Sequence, residues 1–216
     1  MPVEAVRATI GVFQVLLGRL VIDYAVQLPG GAQAGVGRAS GSLTMASWNL
    51  QGPVAVNGHL QQLDLATVLK PYVSRGTVQG DFIHQWNSTQ GAHAALKGEG
   101  TVKVEIKDLA VERIVAGTSS IPSLTFGQIQ ASLACRDDAC DVTELKGDGV
   151  DGSFTAQGHV MLRQPVQQSL LDLTVTVIPG AGFAQKAASL SLPPFQPGTP
   201  FTFKLVGPIM NARVAL

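Results

Sequence analysis

Residues 128–178 read QIQASLACRDDACDVTELKGDGVDGSFTAQGHVMLRQPVQQSLLDLTVTVI. This stretch decides the fold, because apolar and polar residues alternate in it four times. In 128–135, Ile129, Ala131, Leu133 and Cys135 share a face. In 140–145, Cys140, Val142 and Glu144 oppose Asp141, Thr143 and Leu145. In 152–162, Phe154, Ala156, Gly158, Val160 and Leu162 line up. In 169–178, Leu171, Leu173, Val175 and Val177 alternate with Leu170, Asp172, Thr174 and Thr176. Period two is the strand signature, since successive side chains of a pleated chain point to opposite faces. Between these segments stand 136–139, 147–151 and 163–165, rich in Asp, Gly and Pro, which suit turns. The stretch therefore predicts an antiparallel meander.

Its tightest hairpin is flanked by Cys135 and Cys140, the only cysteines of the chain. A four-residue loop is a common hairpin connection. Residues facing each other across an antiparallel pair have Cβ atoms about 4.5–5.5 Å apart, close to disulfide geometry. The expectation is a disulfide between them, and hence an oxidising compartment such as the bacterial periplasm. A C-x4-C pair without a second pair does not make a zinc site, and His59, His84, His93 and His159 have no ligand-pair spacing.

The same alternation extends outward. Strands are expected over 20–28, 53–65, 77–86, 94–107 and 201–207, with weaker ones over 3–10, 33–44 and 210–216. The Gly-rich 33–44 segment reads as a weak or bulged strand. Short helices are expected in 66–73 and 184–190, and 115–122 reads as loop, a possible sub-boundary. Residues 191–200 hold four prolines and read as irregular. The fold class is all-β and antiparallel: one long curved, meandering sheet or an open sandwich, with one or two short helices.

Composition narrows the function. Charged residues make up 14% of the chain and the formal net charge is zero, against about 25% charged in ordinary domains. Nucleic-acid binding, which needs clustered Lys and Arg, is not expected. Aromatics are only 6%, so base-stacking platforms are not expected either. The mean hydropathy is positive, at +0.24. That points to an apolar strip that no second layer seals, meeting a protein partner or acyl chains.

No residue is assigned a catalytic, cofactor-binding or metal-binding role. Residues 147–152 spell G-x-G-x-x-G, but a strand follows where a dinucleotide fingerprint needs a helix. Asp137, Asp138 and Asp141 read as a solvated hairpin tip. His84 and Trp86 share a face and read as packing. Asn87-Ser88-Thr89 matches a glycosylation acceptor. No apolar run is long enough for a membrane helix, and residues 1–7 do not read as an export signal. With a disulfide expected, 1–216 reads as a single domain cut from a longer, membrane-anchored chain.

Residues 128–182 resemble the C-terminal half of protein N of the bacterial type II secretion system. The resemblance rests on Leu145-Lys146-Gly147-Asp148-Gly149, on GSFTAQGHVML at 152–162 and on PVQQSLLDL at 165–173. Earlier, LGRL at 17–20 and GHLQQLDL at 58–65 fit the same pattern. More distantly the pattern is similar to AsmA-like envelope proteins. The first family implies a periplasmic β domain anchored to the inner membrane, a structural and assembly role without enzymatic activity, and other secretion-system envelope proteins as partners. The second implies a lipid or apolar-ligand carrier with a hydrophobic groove.

Overall fold

The computed structural model describes residues 5–11, 13, 15, 17–28, 37–47, 52–70, 73–87, 98–112, 114–116, 119–121, 123–165, 168–188 and 196–215. Parts of several expected segments lie outside these residues: 3–4, 33–36, 71–72, 94–97, 117–118, 122, 189–195 and 216, together with His93 and with Ser88 and Thr89 of the acceptor motif.

The strands are β1 (Ala5–Ile10), β2 (Leu20–Leu28), β3 (Gly37–Met45), β4 (Pro53–Asp64), β5 (Val73–Asn87), β6 (Glu99–Val111), β7 (Ile114–Ala116), β8 (Ser119–Ile121), β9 (Leu124–Arg136), β10 (Ala139–Gly149), β11 (Gly152–Met161), β12 (Leu170–Pro179), β13 (Phe201–Pro208) and β14 (Arg213–Ala215). Helix α1 (Leu65–Val68) follows β4 and helix α2 (Ala181–Ala188) follows β12. Twelve strands form one antiparallel sheet in chain order, with β7 and β8 set aside as a separate hairpin. The sheet is open and does not close into a barrel. The all-β meander with two short helices expected from alternation is the observed fold.

Register explains most departures from the sequence reading. A bulge between Val142 and Glu144 inserts one residue into β10. Beyond it Leu145, not Glu144, joins Cys140 and Val142 on the apolar face, because an extra residue inverts the alternation. Lys146 to Gly149 continue the strand instead of turning, and the turn shrinks to Val150-Asp151. Of the two readings of 33–44, weak or bulged, the described part carries no bulge: β3 pairs with β2 and β4 in unbroken register. The expected loop at 115–122 carries the β7–β8 hairpin, while β6 and β9 pair directly across it. Helix α1 is one turn, capped by Asp64, whose side chain accepts from Ala66 N at 3.0 Å. That bond satisfies one of the donors a helix start leaves open.

Strand direction sets a polarity. β4, β6 and β12 stand fourth, sixth and tenth in an alternating order. Their C-terminal ends therefore lie at one end of the sheet. Helix α1, the β7–β8 hairpin and α2 all leave from that end. The β9–β10 hairpin turns at the other.

Candidate functional site

One face of the sheet is predominantly apolar. A single row crosses all twelve strands: Ala8, Tyr24, Gly41, Gly58, Phe82, Val102, Leu133, Val142, Gly158, Leu173, Leu205 and Val214, each directly opposite the next. Facing residues of an antiparallel pair point to the same side, so the row is one continuous surface. The opposite face carries Asp23, Ser42, Asn57, Asp81, Lys103, Glu105, Gln130, Asp141, His159 and Lys204.

The apolar face is only partly covered. Two small clusters are buried. One is Cys140, Val142, Val160 and Leu173, and the other is Leu65, Val73 and Val78. The accessible surface is 13152 Å², whereas a compact monomer of this mass exposes about 9,500 Å². Such an excess is expected of a twelve-stranded sheet that no second large sheet faces among the described residues.

Phe82 on β5, Val102 on β6, Cys135 on β9 and Leu162, just past β11, border one small apolar cavity of about 190 Å³ on this face. The Leu162 amide donates to the Asp138 carbonyl at the β9–β10 tip at 2.6 Å, which brings this side chain toward β9.

Glycines and aromatics smooth the face. A methyl group added at Gly58 would strike the Phe82 ring, and one at Gly147 the Phe154 ring. Each ring lies over the glycine of the neighbouring strand and replaces the side chain it lacks. Tyr24 reaches across Gly41, and its hydroxyl donates to the carbonyl of Asn57 at 2.9 Å. Burial raises the Tyr24 pKa, so its hydroxyl stays a neutral donor at physiological pH.

Cys135 and Cys140 face each other across the β9–β10 hairpin with their sulfurs 2.03 Å apart. They lie on the apolar face, at the end away from the helices. His84 and Trp86 stack at 5.4 Å, also on that face. Asp137 and Asp138 stand exposed at the hairpin tip, and Asp137 Oδ1 accepts from Gly98 N at 3.2 Å.

The polar face ties itself together. His59 pairs with Asp81 and His159 with Asp141, each at 2.6 Å and well exposed. Glu105 accepts from Gln79 and from Gln128, the latter at 2.6 Å. Among the described residues no group of three His, Cys, Asp or Glu is arranged to hold a metal ion.

One site escaped the sequence reading. Asp151, in the β10–β11 turn, is buried and accepts from Lys186 Nζ on α2 at 2.7 Å, from Thr125 N at 2.7 Å and from Thr125 Oγ1 at 2.9 Å. Lys186 also donates to the Ser123 carbonyl at 2.6 Å. Burial alone raises the Asp151 carboxyl, but Lys186 and the Thr125 donors outweigh it and hold the pKa below the ordinary value. The pair fastens α2 to the β10–β11 turn and to the start of β9. Its partners are 35 residues apart, and no local pattern marks them.

No family model matches the chain, no curated protein does, and no solved structure does.

Proposed function

We propose that this chain is a non-enzymatic module of the bacterial cell envelope whose apolar face holds the acyl chains of a lipid. The observation that carries the reading is the apolar row, unbroken over twelve strands and faced by no second layer among the described residues. Exposed apolar patches beyond a few hundred Å² on a monomer mark binding surfaces. An extended apolar surface with few polar anchors suits flexible hydrocarbon, which needs area more than directed hydrogen bonds. The disulfide fits an oxidising compartment, and the resemblance to secretion protein N and AsmA-like proteins supports a periplasmic place beside the inner membrane. The test is organic extraction of the folded protein followed by mass spectrometry. Phospholipid or fatty acid recovered in near-stoichiometric amount supports the reading. Lipid-free protein that also takes up none from vesicles overturns it.

A second reading is favoured by a different observation. All six residues of β1 are exposed, and an open strand edge is a template for another chain. On this reading the module is a structural part of the secretion machine and meets other envelope proteins. Pull-down of the protein from envelope extracts with a defined envelope partner, in the absence of bound lipid, favours it over the carrier.

A further inference from the structure

The two edges of the sheet differ. β14 has three residues, and Arg213 leads it. Shortness and charge are the ordinary protections of an edge. β1 has six residues and no proline. Its only charge, Arg7, lies on the polar face. Its apolar-face residues stand in the open, Val6 at 68% and Ile10 at 54% exposure. Among the described strands β1 pairs with β2 alone.

We propose that β1 pairs with β1 of a second copy, antiparallel about a two-fold axis at Ala8, so that two apolar faces join into one. The register follows from the residues. Centring on Ala8 sets Val6 against Ile10 of the second copy, Arg7 against its Thr9, and Ala8 against its Ala8. Five of the six residues of β1, Val6 to Ile10, then face one another. Apolar meets apolar on one face, and no like charges are opposed on the other. Centring on Arg7 would set two guanidinium groups directly opposite, which is unfavourable. Centring on Thr9 would shorten the ladder. A two-fold axis normal to the sheet keeps both apolar faces on the same side, and such self-complementary contacts are the commonest route to dimers. A ladder this short buries little surface, so the dimer is weak and in exchange.

The test exploits the chain's own cysteine chemistry. Cys135 and Cys140 are bonded to each other, so a cysteine placed at Ala8 is the only free thiol. Across the axis two such residues have Cβ atoms about 4.5–5.5 Å apart, within disulfide reach. Mild oxidation of Ala8→Cys is expected to convert most of the protein to a covalent dimer. Val214→Cys, on β14 and 60% exposed, is expected to give none. Adding Val6→Lys to Ala8→Cys is expected to cut the yield severalfold, because a charge then meets Ile10. Folded Ala8→Cys that stays monomeric overturns the proposal. A yield unchanged by Val6→Lys also overturns it, as random collision. A mixed disulfide between Ala8→Cys and Val214→Cys proteins overturns the two-fold in favour of head-to-tail pairing.

Discussion

The strands β1–β3 and β10–β12 share one pattern and differ in cover. Both alternate apolar and polar residues, and both place the apolar set on the same face. Yet β10–β12 contribute Cys140, Val142, Ala156, Val160 and Leu173 to the buried set, while β1–β3 contribute no buried apolar side chain among the described residues. Alternation thus settles which face a residue joins and says nothing of how deeply it is covered. Depth comes from cross-links and packing. The disulfide, the Phe154 ring over Gly147 and the Lys186–Asp151 latch all act on the β9–β12 region. The β1 edge has a neighbour on one side only.

If this contrast is right, substitutions in the covered region are costly and those at the edge are not. The largest effect is expected at the latch. Lys186→Met leaves Asp151 buried beside two neutral donors, at a cost of about 3–5 kcal/mol, measured by urea unfolding. The pH dependence sharpens it. Asp151 has a depressed folded pKa, so its contribution is present above its unfolded pKa of about 3.9. That contribution is lost as pH falls through the lower folded value. Acidification below pH ~4 is therefore expected to destabilise the wild type more than Lys186→Met.

Next comes Leu173→Ala. It opens a cavity beside Cys140, Val142 and Val160 and is expected to lose about 3 kcal/mol. Removing the disulfide by Cys135→Ala with Cys140→Ala is expected to lose about 2 kcal/mol, since the loop it closes is short. Val6→Ala, on the open edge, is expected to change stability by less than about 0.5 kcal/mol. A loss at Val6 as large as at Leu173 would erase the contrast and mean that the edge is covered.

How much of this was legible follows from range. Period two is local, so strand positions and the facing of Cys135 and Cys140 could be read directly. The bulge after Val142 could not, because nothing in CDVTEL marks where pairing slips. Gly147-Asp148-Gly149 reads as a turn by composition, yet the glycines sit in β10 because Phe154 covers the gap at Gly147. At the candidate site, the apolar set was legible in most strands, though not past the bulge, where Leu145 replaces Glu144. The cavity that Phe82 and Leu162 share was not, since it depends on residues eighty apart in the chain. The Asp151–Lys186 pair was hidden for the same reason.

The central claim is that acyl chains lie on the apolar face, and Trp86 can report it. The ring lies half-buried on that face beside Val54 and His84, and Trp48→Phe leaves it the sole tryptophan. The measurement is quenching of Trp86 fluorescence by phospholipid with brominated acyl chains. The account predicts saturable quenching of the folded protein, absent with unbrominated lipid and absent when the bromine sits on the headgroup. Folded protein whose Trp86 emission is indifferent to brominated chains would contradict it.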